Sequence, residues 1–382
     1  MHNSNYRIFF ISRHPDIDHI CSYILKYSKD YRNYIIARDD DSQLNNYILK
    51  YIFKKKYAIK INRINFKNLN LYIYPLLIIF LFTRPLIKII YKNNYYSKIQ
   101  KIHNFFEQHA NNRLINIAKG ADIYLDHRNT NRDKDYLLET LSRNSRQVIS
   151  LPHSYHYLDN VDKYKKTFDS YKNCWANKIY FYGDEHKNKI LDILPKNVEA
   201  LNIQPYRFNS DWFRFRCNAF REYMPKKVNS LNKINKSNKE IVVFVDSPFN
   251  QLEYQKKRRK MLDFISQYYL IIHVPHPRSG RASFRTSEIV WGGEMAELIV
   301  RFNKFLGIFS TLSIDFAQTN KLYITCNHLR EPGYNCYDEH LNASKRANND
   351  FEILELLKTI PNINAQKQFL KKLKIDPINI QL

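Results

Sequence analysis

Short apolar runs alternate along the chain with stretches in which apolar residues recur every three or four positions. The run YRIFFIS (6–12) precedes DIDHICSYILKYS (16–28), where Ile17, Ile20 and Ile24 share one helical face behind Asp16 as a candidate N-cap. A helix is the usual connection between two parallel strands, so this order predicts parallel sheets. Further strands are predicted at 33–38, 121–127, 146–152 and 178–183, and at the start of 199–213.

A second alternation of strands and helices follows a basic, polar stretch. MPKKVNSLNKINKSNKE (224–240) has no long apolar run and is typical of a linker. The pattern therefore predicts an α/β protein with a first domain over 1–223, a second over 241–347 and a helical tail over 348–382. Within the second domain and the tail, strands are predicted at 241–247, 269–275, 306–311 and 321–327, and helices at 251–267, 293–305 and 348–374.

One segment of the first domain, 71–92, has the composition of a membrane-associating segment. Its uninterrupted apolar part runs from Leu71 to Phe82, shorter than the roughly 20 residues that span a bilayer. Arg84, Lys88 and Lys92 then follow at intervals of four and share one helical face. Two interpretations stay open: a helix lying in an anionic membrane interface, or a pair of helices buried in the first domain.

Composition supports a globular, two-domain protein with an anionic partner. The chain has 382 residues, of which 44% are hydrophobic and 25% charged, and its formal net charge is +25. Such a charge favours nucleic acid, an acidic membrane face or a phosphorylated substrate. The five scattered cysteines predict no disulfide framework, and the short apolar stretch at the N-terminus is not expected to be a signal peptide. Together these features predict a cytoplasmic location.

The seven glycines form neither a dinucleotide-binding fingerprint nor a P-loop. Ligands of parallel sheets bind beyond the carboxyl ends of strands, so candidate residues belong to the loops there. After the strand ending near 274 come Pro275, His276, Pro277 and Arg278; the prolines restrict the backbone, and His276 and Arg278 are donors for phosphate or carboxylate.

Two further loops of the second domain offer polar groups. Ser310, Thr311 and Ser313 open a predicted helix, where hydroxyls and free backbone N–H groups favour an anion. Ser247 and Gln251 follow the strand 241–245 and line the same predicted nucleotide pocket, although Ser247 serves equally well as a helix cap. Together these residues predict a phosphate site without a glycine loop.

The spacing of HPR (276–278) and FSTLSIDFA (309–317) resembles motifs of bacterial GT-B glycosyltransferases that use CMP-activated acid sugars. These enzymes include capsule and lipooligosaccharide sialyltransferases and the Kdo transferases of capsule and O-antigen assembly. The resemblance covers these short motifs and the order of two domains, and NIQPYRFNSDWF (202–213) looks like the end of the first domain in that family. It implies a GT-B fold of two Rossmann-like domains with parallel sheets facing a cleft.

The resemblance also implies a donor, an acceptor and a cellular location. A CMP-sugar donor, with Kdo favoured over a sialic-acid-like sugar, would bind the C-terminal domain without a metal or other cofactor. The acceptor would be a lipid-linked or free oligosaccharide of a surface polysaccharide or lipopolysaccharide. The enzyme would be peripheral on the inner face of the cytoplasmic membrane, held by its anionic surface.

The first domain departs from the sialyltransferases, because it has no acidic-acidic-glycine motif. YLDHRN (124–129) and LPHSYHY (151–157) supply Asp126, Arg128, His153 and His156 instead. This looks more like the retaining β-Kdo transferases, in which an aspartate attacks the sugar. Alternatively, Asp126 or His153 is a base that gives inversion, and Arg128 holds the donor carboxylate. A further alternative is that Asp126 is a turn residue and that Asp133 or Asp135 acts in its place.

Other functions fit the sequence less well. A nucleic-acid-binding protein would suit the charge, but the basic residues are spread along the chain without a recognisable motif. CDP-polyol phosphotransferases and UDP-sugar transferases of the same fold stay open as alternatives. The Asp39-x-Asp41 pair is interpreted as helix capping and the spacing of Cys326, His328, Cys336 and His340 is not that of a standard zinc site, so no metal site is predicted.

Overall fold

The structure is a computed structural model in which two compact units are distinguished. The first comprises most of the chain up to Leu201, and the second comprises Asn202–Leu382 with the short segment Tyr182–Lys189. The residues described are 6–11, 16–29, 32–37, 44–61, 74–90, 101–102, 105, 112–126, 136–152, 176–181, 184–188, 191–203, 205–234, 238–247, 252–276, 289–308, 310–330 and 337–378.

The first unit is built on a seven-stranded sheet of order β3-β2-β1-β4-β5-β6-β7. β1 pairs in parallel with β2 and β4, β4 with β5, and β5 with β6. The strands are β1 (Tyr6–Ile11), β2 (Arg32–Ala37), β3 (Ile59–Ile61), β4 (Ala121–Asp126), β5 (Gln147–Leu151), β6 (Lys178–Phe181) and β7 (Glu199–Asn202). The helices that precede β6 in the chain are α1 (Asp16–Lys26), α2 (Tyr47–Lys54), α3 (Tyr74–Ile90), α4 (Asn112–Ala118) and α5 (Tyr136–Asn144).

The central strands of this sheet are buried along their length. All six residues of β4 are buried, as are five of the six in β1. Continuous apolar runs of this kind are typical of parallel strands covered on both faces. The side chains of α1 that face the sheet are also buried, including Ile17, Ile20 and Ile24, as their spacing predicts.

The second unit contains a six-stranded sheet of order β10-β9-β8-β11-β12-β13, in which every neighbouring pair is parallel. Its strands are β8 (Ile241–Val245), β9 (Leu270–Val274), β10 (Ile289–Val290), β11 (Lys304–Gly307), β12 (Leu322–Cys326) and β13 (Lys345–Ala347). The helices are α6 (Asp184–Asn188), α7 (Ser210–Tyr223), α8 (Pro225–Ile234), α9 (Leu252–Ile265), α10 (Met295–Arg301), α11 (Leu312–Gln318), α12 (Tyr337–His340), α13 (Asp350–Leu357) and α14 (Ile363–Lys372).

The segment that joins the two series of strands and helices, 224–240, differs from the linker predicted from the sequence. Helix α8 occupies 225–234 of the predicted linker, and helix α7, which was predicted with the first domain, packs within the second unit. Buried Arg216 on α7 pairs with Glu294 and Asp315, and Phe220 meets Trp291 edge to face. The polar, basic sequence of α8 therefore forms a helix with one buried residue, Leu231, and it directly follows α7, whose aromatic face is buried.

Candidate functional site

Three loops of the second unit leave the sheet at one edge. β9, β8 and β11 are adjacent, and Val245 pairs in register with both Val274 and Gly307. The chain therefore leaves all three strands at the same level. The predicted polar loops that begin at Asp246, Pro275 and Ile308 are neighbours at the carboxyl edge, where parallel sheets bind ligands.

Asp246, the first residue after β8, is the centre of a buried hydrogen-bond network. Its Oδ1 accepts from the Tyr254 hydroxyl at 2.6 Å and from the Ser247 backbone N–H at 2.8 Å. Its Oδ2 accepts from Arg258 Nη1 at 2.5 Å and lies 3.1 Å from Nε2 of His273, which donates in its Nε2–H tautomer. The network joins β8, β9 and α9 directly beneath two of the predicted ligand loops.

The partners of Asp246 keep its carboxyl ionised in spite of burial. Burial by itself raises the pKa of this group, but the hydrogen bond with His273, the charge of Arg258 and the hydrogen bond from Tyr254 lower the pKa below its usual value. A buried carboxylate with several donors is costly to disturb, because removal of one partner leaves a charge without compensation. The sheet edge is thereby held in a fixed geometry.

Ser247 has a buried hydroxyl that no described residue satisfies. The residue is 1% exposed, and its Oγ has no hydrogen-bond partner in the part of the chain that the structure describes. An unpaired buried hydroxyl costs free energy, so a ligand group placed there would gain a hydrogen bond that the protein alone does not make. This hydroxyl lies next to the Asp246 network, at the predicted nucleotide loop.

The serine and threonine cluster at the start of α11 is only partly available. The Ser310 hydroxyl accepts from the Leu312 backbone N–H at 3.2 Å, Thr311 makes no side-chain cap bond, and Ser313 is buried. Since α11 has seven residues, its dipole adds little to anion binding. Thr311 and the donor proton of Ser310 are the groups of this cluster best placed for a ligand.

Arg330 fixes the backbone that leads into this cluster. Its buried guanidinium donates to the Ile308 carbonyl from Nε at 3.2 Å and from Nη2 at 2.7 Å, and it pairs in a bidentate manner with Glu339. Ile308 is the residue directly after β11. Arg330 was not predicted from the sequence, because its role depends on the approach of the chain after β12 to the end of β11.

Other residues predicted at this edge differ in how far the structure describes them. His276 is partly buried and follows β9 by two residues. Gln251, Pro277 and Arg278 lie outside the described residues.

In the first unit, Asp126 is the last residue of β4 and has no exposed surface. Its Oδ2 lies 2.9 Å from Nε2 of His19, which belongs to α1 and is 2% exposed. Asp16, at the start of α1, is buried beside them, and one ligand atom from each of the three residues lies within 4.8 Å of the others. Burial of two carboxylates requires compensating partners, and His19 supplies one to Asp126.

This contact bears on the prediction that Asp126 is a nucleophile. A nucleophile must come within about 3–3.5 Å of the anomeric carbon, so attack by Asp126 requires the buried carboxylate to become accessible to the sugar. His19 holds Asp126 through one oxygen. The remaining residues predicted in this unit, Arg128, His153 and His156, and the alternatives Asp133 and Asp135, lie outside the described residues.

His19 and Asp16 were not selected from the sequence as chemical residues. The signal was present, since Asp16-x-x-His19 places two polar groups one turn apart at the start of the helix after β1, at the carboxyl edge of the sheet. One imidazole and two carboxylates also form a donor set that could hold a divalent cation. The sequence-based expectation of metal independence is therefore open to a direct test.

Three of the cysteines lie among the described residues, on α1, α7 and β12. Cys21, Cys217 and Cys326 are free and buried, and burial raises the pKa of all three thiols, to about 12 for Cys217 and Cys326. Buried thiols of this kind are structural and unreactive. They have no part in the site.

Comparison with known sequences gives no match, either to protein-family models or to curated proteins. Solved structures are similar in fold. The wall teichoic acid polymerase TagF has a TM-score of 0.51 and 11% identity over 96% of this chain and 82% of that chain. The UDP-GlcNAc 2-epimerase from Neisseria meningitidis, bound to UDP-GlcNAc, has a TM-score of 0.53 and 10% identity over 97% and 99%. The S. aureus MnaA–UDP co-structure has a TM-score of 0.52 and 10% identity over 99% and 100%.

Identities this low carry information about the fold alone. With the two parallel sheets, they confirm the predicted α/β architecture: the chain has a GT-B-type fold of two Rossmann-like units.

Proposed function

We propose that this protein is a glycosyltransferase that moves an acid sugar, Kdo in preference to a sialic-acid-like sugar, from its CMP donor to a surface-polysaccharide or lipopolysaccharide acceptor. The observation that carries the proposal is the common edge formed by the ends of β8, β9 and β11. The loops of the two motifs begin at that edge, on a fold that accommodates nucleotide-sugar chemistry.

The nucleotide is proposed to bind at this edge of the second unit. His276 and Arg278 would neutralise the phosphate, with Thr311 and Ser310 as further donors. The unsatisfied hydroxyl of Ser247 and the side chain of Gln251 would contact the nucleoside. The Asp246 network and the Arg330–Glu339 pair would hold the loops and make no contact with the donor themselves.

The sugar is proposed to react at the carboxyl edge of the first sheet, with retention of its anomeric configuration. Asp126 would attack the anomeric carbon as CMP leaves, and the acceptor hydroxyl would then displace Asp126 as it loses its proton to His153 or His156. The contact with His19 at Oδ2 would orient the carboxylate. Arg128 would hold the carboxylate of the sugar.

The contact between Asp126 and His19 suggests one alternative mechanism. In it, Asp126 orients His19, and His19 takes the proton of the acceptor hydroxyl as that oxygen attacks the anomeric carbon and displaces CMP, which inverts the configuration. The anomeric configuration of the product distinguishes the two. Retention together with a covalent adduct requires the first mechanism.

The acceptor is proposed to be a lipid-linked or oligosaccharide chain at the anionic inner face of the cytoplasmic membrane, with no nucleic acid involved. Among the described residues, no helix combines the length and apolarity needed to cross a bilayer. The proposed attachment to the membrane is peripheral.

Nucleotide preference tests the donor assignment against the alternatives of the same fold, a CDP-polyol phosphotransferase and a UDP-sugar transferase. We expect CMP to stabilise the full chain against heat more than CDP or UDP does at equal concentration, because only ligands of the native state raise its apparent stability. Greater stabilisation by UDP would contradict the CMP assignment. A polyol enzyme also releases CMP, so greater stabilisation by CDP-glycerol than by CMP would favour that alternative.

A further inference from the structure

Helix α3 (Tyr74–Ile90) has one narrow face that is buried or partly buried. Phe80 is 8% exposed, and Thr83 and Ile87 are partly buried. These positions follow one another at intervals of three and four, which is the spacing of a single helical face. Only one side of this helix is therefore covered.

The opposite side of α3 is apolar and exposed. Ile78, Phe82, Leu86 and Ile89 follow at intervals of four, four and three, and their exposed fractions are 51, 80, 57 and 66%. Ile79, Leu81 and Ile90 widen this surface and are each more than half exposed. A solvent-exposed face of a helix is normally polar, so a contiguous apolar surface of this kind indicates a binding partner.

Charge identifies the kind of partner. Arg84 and Lys88 are exposed and lie one turn apart, on the flank between the packed face and the outward apolar face at about 100° per residue. No acidic residue occurs between 74 and 90, and the chain carries a net charge of +25. A second copy of the chain would bring the same cations face to face, whereas anionic lipid headgroups would neutralise them.

We infer that the outward face of α3, defined by Ile78, Phe82, Leu86 and Ile89, inserts into the surface of an anionic bilayer, with Arg84 and Lys88 among the headgroups. The 17 described residues extend over about 25 Å, short of the ~30 Å hydrocarbon core, so the helix lies in the interface. This inference deepens the proposed membrane location and rests on it for its biological role. Binding to lipid alone tests it separately from glycosyl transfer.

The test is sedimentation of the full chain with vesicles of phosphatidylcholine alone or with roughly a third phosphatidylglycerol, without nucleotide. We expect binding that depends on the anionic lipid. Phe82→Asp with Ile89→Asp should weaken it by about tenfold or more. The matched control, Phe351→Asp with Ile360→Asp, changes two side chains that are 72 and 81% exposed in the second unit and should leave binding unchanged.

A second pair of variants tests the cations. Arg84→Glu with Lys88→Glu should reduce binding to the anionic vesicles. Lys367→Glu with Lys371→Glu changes an exposed pair with the same spacing on α14 and should retain most of the binding to these vesicles. Equal losses in both pairs, or vesicle binding unaffected by the α3 variants, would overturn the inference.

Self-association through α3 is another outcome that would contradict membrane binding by this helix. A dimer by analytical ultracentrifugation that Phe82→Asp dissociates, in a chain that does not bind vesicles, would assign the face to a second copy. Vesicle binding with no CMP release from any donor would support this inference and contradict the proposed function alone.

Discussion

The carboxylate of Asp246 lies 3.1 Å from the imidazole of His273, so that a residue beyond the end of β8 is joined to a residue within β9. Both side chains are fully buried. Val274 and Pro275 lead directly from His273 to His276. The contact therefore links the geometry of the core to the loop that is proposed to bind the donor phosphate.

Replacement of Asp246 by Asn tests the network. We expect Asp246→Asn to lower the free energy of unfolding by about 2–4 kcal/mol, because Arg258 would be left buried without its counter-charge. Urea unfolding measures this. Glu253→Gln is the control: it removes a carboxylate of α9 whose side chain is 79% exposed, and it should leave the free energy of unfolding close to that of the wild type. Equal losses in the two variants would show that the network does not hold the edge.

Asp338 on α12 predicts a pH dependence of stability. Burial, with the neighbouring charge of Glu339, raises the pKa of this carboxyl from 3.8 to about 6. Between about pH 4 and 6 the folded protein therefore binds more protons than the unfolded chain, and stability falls as the pH rises. The full effect is at most about 3 kcal/mol.

Asp338→Asn should remove this dependence. The variant and the wild type should be similarly stable near pH 4, and the variant should be the more stable one at pH 7. Urea unfolding between these pH values measures the difference. Glu355→Gln, at an exposed position of α13, should follow the wild type. Parallel curves for Asp338→Asn and the wild type would contradict the raised pKa.

Ser247→Ala separates ligand binding from folding. Since the hydroxyl is buried without a described partner, its removal should leave the stability of the unliganded protein equal or slightly higher. CMP affinity should fall by about fivefold to tenfold, as expected for the loss of one hydrogen bond. Isothermal titration calorimetry measures the affinity.

The control for Ser247 is Ser150→Ala. Ser150, within β5 of the first unit, is also fully buried with no described partner for its hydroxyl. Its replacement should leave CMP affinity unchanged. Unchanged affinity in Ser247→Ala would remove Ser247 from the proposed nucleotide site.

The pair formed by Asp126 and His19 can be resolved by substitution. Asp126→Asn should abolish transfer. If Asp126 is the nucleophile, His19→Gln should retain part of the activity, because the orienting hydrogen bond is lost but the carboxylate stays. If His19 is the base, both variants should lose nearly all of their activity. Full activity in Asp126→Asn would exclude both mechanisms.

EDTA completes this test. Transfer that is lost on chelation and restored by a divalent cation would assign Asp16, His19 and Asp126 to a metal site. Metal-independent transfer is the expected result.

Much of the fold follows from local patterns in the sequence. The strands at Tyr6–Ile11, Ala121–Asp126 and Ile241–Val245 were predicted to within two residues, because central parallel strands are buried on both faces and have continuous apolar runs. The edge strands Ile289–Val290 and Lys345–Ala347 were not predicted, since a short edge strand has little apolar sequence of its own.

The candidate site was predictable only in part. A residue that follows a strand, such as Asp246 or Asp126, can be recognised because strand ends are visible in the sequence. Its partners cannot, since His19 lies 107 positions from Asp126 and Arg330 lies 22 positions from Ile308. Whether a loop hydroxyl is occupied, as for Ser310, or unsatisfied, as for Ser247, depends on packing that no local pattern records.

The most direct test of the central claim is nucleotide release from four donors offered separately with a lipopolysaccharide-type acceptor: CMP-Kdo, CMP-sialic acid, CDP-glycerol and UDP-GlcNAc. Chromatography measures the nucleotide formed, and intact mass measures any sugar attached to the protein or to the acceptor. The proposal predicts acceptor-dependent CMP release, greatest with CMP-Kdo, and an adduct of one Kdo that maps to Asp126. Release of UDP from UDP-GlcNAc, or of CMP from CDP-glycerol, with CMP-Kdo and CMP-sialic acid left intact, would contradict it.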